Sequence, residues 1–490
     1  MFKSGIGMMI IIMASRVLGL FRSVAVAYYF GAGEFTDAYY SAFKISNFFR
    51  QLLGEGALGN SFIPLYNDKV IETGEEESKK FIYSILNLIF LFSLVITIIT
   101  VVFSKEIIDF TVMGFSEETK ELASRLLKIM SAYFIFISLS GMISAVLNNF
   151  KQFLIPASTG IFFNFAIIIS TIMAGKTHGV MVLGYGVVFA GLLQFLVVLP
   201  SFFKIVKGYS FKIDFRDEYL KKIAIMIGPM LIGIVARQFN TVVDQYFASY
   251  LPSGGVSALE NATRIYNLPI GVFGISLSTV IFPIMAQAIS NNRKDILQEN
   301  FMKGLNILLF LVVPSMAVFT VYSADIIKLT LSYGKFDVMA AKVTSEALFY
   351  YSLGLYFYTA IHLVTRGFYG MKDSKEPVKY SILSIGVNIL LNWLLIDRFQ
   401  YRGLALATAI AAGVNFICLL FVYNKKYVKL EWRRYFIFAG KTILLTGISI
   451  ALSYRIENII LKLSVFSIVY LLLWSHEMVK KKMEMFYEKE

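Results

Sequence analysis

Hydrophobic positions recur along this chain in runs of about twenty, and polar residues gather in the short intervals between the runs. A run of that length crosses the hydrocarbon core of a bilayer as a helix, whereas a soluble core helix needs only one apolar stripe. Fourteen such stretches can be marked: 6–30, 35–65, 81–103, 122–149, 153–174, 180–206, 219–250, 256–290, 301–323, 343–370, 377–397, 402–423, 434–454 and 458–478. The pattern predicts an all-α polytopic membrane protein with fourteen transmembrane helices. No soluble domain is left over.

The pattern also repeats. FSKEIIDFT from Phe103 returns as YSADIIKLT from Tyr322, an offset of 219. Pro64 returns as Pro283, Pro156 as Pro377 and Gly184 as Gly403, and Lys44-Ile45-Ser46-Asn47 returns as Arg264-Ile265-Tyr266-Asn267. Stretches 1–6 and 7–12 therefore read as two copies of one six-helix unit, with stretches 13 and 14 outside the repeat. Six is an even number, so both copies enter from the same side and form parallel repeats. The expected domains are an N-lobe over 1–215, a C-lobe over 216–430 and a two-helix extension over 431–490. Lobes related in this way usually hold a substrate near the midplane and rock about it, which favours a carrier over a pore.

Composition agrees with the spans: of 490 residues 57% are hydrophobic and 16% charged, and the mean hydropathy is +0.68. A net charge of +14 could in isolation suggest nucleic acid. Most of the Lys and Arg sit in short loops, however, and suit topology and anionic lipid, so no nucleic-acid partner is expected. With a cytoplasmic N-terminus, roughly two dozen basic loop residues fall on the cytoplasmic side against about ten on the other, the positive-inside bias. Both termini are then cytoplasmic. The run from Asn67 to Lys80 reads as a solvated loop, and the first stretch as too long for a signal-peptide core. One cysteine, Cys418, excludes an internal disulfide, and His178, His362 and His476 lack the spacing of a metal site or triad.

Charge inside the spans carries the candidate chemistry. The segment from Ser15 to Pro64 bears Arg16, Arg22, Asp37, Lys44, Arg50 and Glu55, softened by Gly19, Gly31, Gly33, Gly54, Gly56 and Gly59. An Arg at the bilayer centre costs roughly 2.5–3.5 kcal/mol on a translocon scale, so these residues are expected to face a water-filled cavity. Arg264 takes the place of Lys44 in the second copy. Converging guanidiniums suit a phosphate or diphosphate, because each planar fork binds two oxygens and stays ionised. Some of the arginines could instead snorkel or pair with Asp37, Glu55 or Glu260. Arg237 and Asp244 share a face of stretch 7, and Arg366 and His362 one of stretch 10; both pairs read as packing as readily as cavity. Asp244 with Asn388, Asn392 and Thr408 makes a candidate all-oxygen sodium site, against the plainer reading of helix-joining polar residues. No other cofactor is called for.

SRVLGLFR, FGAG, TDAYYSAFK, Asn47 with Arg50, EGA at Glu55 to Ala57 and the ending Phe62-Ile63-Pro64 resemble the motifs of the MurJ (MviN) lipid II flippases, within the multidrug/oligosaccharidyl-lipid/polysaccharide exporter superfamily. The resemblance covers essentially the whole chain. It implies transport of undecaprenyl-pyrophosphate-linked disaccharide pentapeptide across the bacterial inner membrane for peptidoglycan synthesis, and a transporter rather than an enzyme. It also implies that Arg16, Arg22, Arg50 and Arg264 are the essential cavity arginines, that Asp37 is the acid of the TDA motif, and that stretches 13 and 14 form a lipid-tail groove. Gln51, where relatives often carry a second Arg, and Asn392, where a carboxylate would suit a cation, depart from the pattern. The expected partners are lipid II and the bilayer, with the chain a monomer. Rival readings are another exporter of the superfamily, of drugs or of polysaccharide-lipids, and an intramembrane enzyme of polyprenyl phosphates. The excess of Arg over acid speaks against a carrier of cationic drugs, and paired acids for metal chemistry are missing.

Overall fold

The computed structural model describes residues 2–51, 57–175 and 179–487, with side chains throughout except those of 2–6, 9, 57–60, 227–237 and 476–487. Among the described residues there is no strand, and each of the fourteen apolar stretches is helical. Helix follows from the solvent: in hydrocarbon every backbone N–H and C=O must be satisfied within its own segment. Among the described residues eight helices qualify as spans by length and composition alone, or up to ten when each of two bent pairs is taken as one.

By its internal contacts the chain divides into two units, Met1–Ser257 with Tyr333–Asp337, and Ala258–Ser332 with Val338–Glu490. The first holds α1 (Phe2–Phe30), α2 (Glu34–Phe49), α3 (Ala57–Thr73), α4 (Glu75–Val102), α5 (Ser104–Thr111), α6 (Glu117–Met130), α7 (Tyr133–Asn149), α8 (Leu154–Met173), α9 (Met181–Ile205), α10 (Glu218–Ala248) and the first residues of α11 (Gly255–Pro269). A core around Phe62, Phe81, Met142 and Phe202 joins α3, α4, α7 and α9, and Tyr219, Leu220 and Ile223 bring α10 into it. The connection between α9 and α10 is strapped to α4. Asn87 Nδ2 donates to the carbonyls of Ser210 (3.0 Å) and Lys212 (3.2 Å), and the Asp214 amide donates to Ser84 Oγ (3.2 Å).

The second unit continues α11 through a π-helical segment (Ile270–Ile275) into α12 (Ser276–Ser290). There follow α13 (Lys294–Val321), α14 (Ser323–Thr330), α15 (Val338–Ser352), α16 (Leu355–Gly370), α17 (Lys375–Lys426), α18 (Trp432–Ser453) and α19 (Ile459–Tyr487). α17 comprises two helices, stretches 11 and 12, that fold back on each other at a kink where Gln400 takes φ 48°, with Ser384 Oγ of the first donating to the Ala411 carbonyl of the second at 2.8 Å. The internal repeat is visible in local geometry. α5 and α14 are both eight residues long and start 219 residues apart, after a residue of nearly the same conformation, Phe103 (φ −99°) and Tyr322 (φ −107°). α6 and α7 bend by 43°, α15 and α16 by 45°. Residues 50 and 51 are π-helical, as is Ile270–Ile275 some 219 residues on.

α18 and α19 are fastened to α13 and α14. Pro314 lies inside α13 and has no N–H to offer the carbonyl four residues back, which is that of Phe310. Tyr470 of α19 donates its hydroxyl to that carbonyl at 2.8 Å. Further along, Lys462 meets Asp325 at 2.6 Å beneath the ring of Tyr322, and Tyr322 Oη lies 2.7 Å from Ser453 Oγ of α18. Tyr470→Phe should therefore lower unfolding stability in detergent by about 0.5–1.5 kcal/mol. In a Pro314→Ala background the same change should cost less, because residue 314 then supplies the missing N–H. Equal costs in the two backgrounds, read by thermal unfolding, would contradict this account of the bond.

Candidate functional site

α1 carries Arg16 and Arg22 on a helix secured by small residues. Ser15 and Gly19, four apart, face α8, where a Cβ on Gly160 would collide with Ser15 Oγ. Close approach of this kind is what small residues permit inside a membrane. Asn164 of α8 locks the contact, donating to the carbonyls of Ser15 (2.9 Å) and Gly160 (3.0 Å). Arg22, only 7% exposed, projects between two rings, with its guanidinium carbon 5.6 Å from the Phe43 centroid and 5.5 Å from that of Phe163. Aromatic faces favour a cation electrostatically, and these two rings fix where the guanidinium lies. Arg16 is half-buried six residues earlier.

Lys44 and Asn47 of α2, and Gln51 just beyond its end, lie on the wall of a cleft of about 160 Å3, opposite Gln238 and Gln245 of α10. Arg50 donates through Nε to Asn47 Oδ1 at 2.6 Å. Phe43, beneath Arg22, is the neighbour of Lys44, so Arg22 and the basic stretch of α2 belong to one locality of the first unit. Asp37 does something else there. Its carboxylate, 3% exposed, accepts from the Gly254 amide (2.7 Å), the Ser257 amide (2.7 Å) and the Ser257 hydroxyl (2.5 Å). Those amides are orphan donors at the start of α11, and a negative charge at a helix N-terminus is favoured by the dipole as well. Beside this cap the turn at Gly31 (φ +70°) crosses the turn at Gly334 (φ +64°), where the Lys335 amide donates to the Tyr28 carbonyl at 2.8 Å. A Cβ on either glycine would strike backbone oxygen of the other segment.

In the second unit Arg264 lies one and a half turns before the π-helical segment, a distortion common at functional sites. It pairs with Glu260 at 3.0 Å, while its Nε is buried without a hydrogen-bond partner among the described residues. One face of the guanidinium is thus neutralised and one donor kept.

The sequence model described as "Lipid II flippase MurJ" matches residues 26–473. The chain belongs to the MurJ family. Its relatives include a probable lipid II flippase MurJ of Buchnera aphidicola from Schizaphis graminum, 34% identical over 431 residues that cover 87% of this chain and 83% of the relative. One from Vibrio cholerae is 30% identical over 430 residues, 86% of this chain and 82% of the relative. Among solved structures, the inward closed conformation of lipid II flippase MurJ superposes with a TM-score of 0.85 at 30% identity over 96% of this chain and 99% of that one. An inward-facing multidrug transporter of the MATE family superposes with a TM-score of 0.73 at 15% identity over 86% and 97%, a likeness of fold alone.

For this MurJ family chain, then, the all-α polytopic fold and the family read from the sequence are confirmed, and the protein is a multi-pass membrane protein. Within the first unit Arg22 lies on Phe43 of α2, Lys44 lines the cleft, Arg50 pairs with Asn47, and Asp37 turns to the start of α11. Glu55 lies outside the described residues, as does the side chain of Arg237. Of the residues considered for sodium, Asn388 and Asn392 are buried on α17, with Asn392 donating to Asn388 Oδ1 at 3.2 Å and Asn388 Nδ2 lying 3.5 Å from Thr408 Oγ1. Asp244 belongs to the first unit, where Asn240 donates to it at 3.1 Å. Arg366 stacks on Phe282 at 5.4 Å in the second unit, with His362 edge-on to Tyr358. Sequence reasoning missed Gly254 and Ser257 as the partners of Asp37, and Gln238 and Gln245 as cleft walls. The only local sign of the latter was two glutamines seven apart on one helix face.

Proposed function

We propose that this chain flips lipid II, the undecaprenyl-pyrophosphate-linked disaccharide pentapeptide, from the cytoplasmic to the outer leaflet of a bacterial inner membrane by alternating access, as a monomer and without covalent chemistry. The observation that carries the reading is Arg22, a guanidinium buried within a spanning helix and held by rings, in a chain that matches a flippase family over residues 26–473. A diphosphate sheds water to cross the bilayer, and fixed guanidiniums replace that water, lowering the barrier to head-group passage. The head group is carried as the two six-helix lobes rock, while the tail stays in lipid against the extension formed by α18 and α19. Both termini are cytoplasmic in this scheme, and sodium is the proposed coupling ion, with Asp244 as its carboxylate. Expression of the chain in cells depleted of their own essential lipid II flippase tests the reading. Restored growth and peptidoglycan synthesis support it, and lysis despite membrane-inserted protein removes it.

A further inference from the structure

The connection between α9 and α10, residues 206–217, faces two ways. Tyr209 and Ile213 turn inward against the core of the first unit. Phe211 and Phe215, each two residues further on, turn outward and are 80% and 70% exposed. Lys207, Lys212 and Arg216 are interleaved with these rings, exposed and without an ion pair among the described residues. The backbone of the connection, meanwhile, takes hydrogen bonds from the side of a spanning helix. Tyr83 of α4 donates its hydroxyl to the Lys207 carbonyl, Asn87 Nδ2 serves the carbonyls of Ser210 (3.0 Å) and Lys212 (3.2 Å), and Ser84 Oγ accepts from the Asp214 amide (3.2 Å). Tyr209 Oη donates to Asn87 Oδ1, so both ends of the Asn87 amide are engaged.

Those bonds are made at membrane depth. α4 runs from Glu75 to Val102, 28 residues and about 42 Å, longer than the ~30 Å of hydrocarbon in a bilayer. With Val102 at one boundary of the hydrocarbon, the other falls about twenty residues back, near Ile82 and just inside Lys79 and Lys80. Ser84 and Asn87 then lie about 3–8 Å on the lipid side of that boundary. Backbone at such a level has to be satisfied by protein, which is what the α4 side chains do. We propose that residues 207–216 lie in the leaflet at the N-terminal end of α4, with Phe211 and Phe215 among the acyl chains and Lys207, Lys212 and Arg216 reaching out to the lipid phosphates. The partner is the bilayer: hydrocarbon takes the rings, phosphate takes the cations, and α4 takes the carbonyls. In the orientation proposed above this is the cytoplasmic leaflet. The insertion holds whatever lipid is transported, and it tethers the start of α10, capped by Asp217, at a fixed height in the membrane.

The test is spin labelling of the full-length chain in liposomes of phosphatidylethanolamine and phosphatidylglycerol. Cys418→Ala is the background, and one label at a time is introduced by Phe211→Cys, Phe215→Cys, Ile71→Cys or Phe92→Cys. Relaxation by oxygen, which concentrates in hydrocarbon, is compared with relaxation by a water-soluble nickel chelate. Labels at 211 and 215 should favour oxygen and lie about 5–10 Å below the phosphates. The label at 92, half-way along the lipid-crossing part of α4, should lie deeper, and the label at 71, where Ile71 is 84% exposed on α3, should favour nickel. Asn87→Leu removes the donor to two carbonyls, so nickel access at 211 should rise several-fold while the label at 92, which certifies the fold, stays in place. Nickel access at both 211 and 215 equal to that at 71 would overturn the inference. So would labels reached by neither reagent, the result of rings packed in a protein groove, and an unmoved label at 211 in Asn87→Leu would overturn the part given to α4. Phe211→Cys and Phe215→Cys alter outward-facing side chains only, and if one fails to insert the other decides.

Discussion

Arg22→Ala should abolish lipid II translocation, by about 100-fold or more, in protein that remains folded and membrane-inserted. The guanidinium is held by Phe43 and Phe163, so its removal takes away a charge and two potential phosphate contacts without dismantling the Asn164 lock that seats α1 on α8. Two charge-assisted hydrogen bonds at about 1.5 kcal/mol each amount to about 3 kcal/mol, hence the factor expected. Arg22→Lys should recover part of the activity, because an ammonium keeps the charge and loses the fork. Arg16→Ala, Arg50→Ala and Arg264→Ala should act in the same direction. Arg264 starts from a partly neutralised state, so Glu260→Gln should strengthen binding of a diphosphate lipid where Arg264→Ala weakens it. Translocation rates in proteoliposomes, with far-UV circular dichroism as the control, read both effects.

Asp37→Ala should be the most destabilising single change at the site. It leaves two backbone amides at the start of α11 without their acceptor in a buried position, while the Ser257 hydroxyl can still donate to Thr36 Oγ1 at 2.8 Å. At about 1–3 kcal/mol for each of the two unsatisfied buried amides the loss is about 2 kcal/mol or more. Arg264 sits further along the same helix, so transport should fall with stability. Asp37→Asn keeps one acceptor oxygen and should be intermediate in both. The unfolding midpoint in detergent separates this account from a role in substrate contact. A cap predicts that midpoint and transport rate fall together, whereas a substrate ligand predicts lost transport at an unchanged midpoint.

The fold was largely legible in the sequence because a bilayer leaves few solutions. Stretches of about twenty apolar residues can only become helices, and the 219-residue offset between Phe103 and Tyr322 reappears as two eight-residue helices with nearly superposable starts. The candidate site could be marked from the sequence only by residue type, since a charge such as Arg22 inside a spanning helix is costly unless it has work to do. What each residue meets was not legible. Spanning helices are apolar nearly all round, so the pattern does not fix their rotation, and contacts such as Asp37 with Ser257 join residues 220 positions apart. The bond from Tyr470 to Phe310 could have been half anticipated, because Pro314 announces a free carbonyl four residues back.

The central claim is that buried guanidiniums on this chain carry a lipid-linked diphosphate across the membrane. Its most direct test is translocation of fluorescent lipid II in proteoliposomes holding the purified chain, alongside Arg22→Ala. The account predicts that the wild type moves lipid II between leaflets far faster than protein-free liposomes and that Arg22→Ala does not exceed them. Equal rates for wild type and Arg22→Ala, both above the protein-free liposomes, would contradict it.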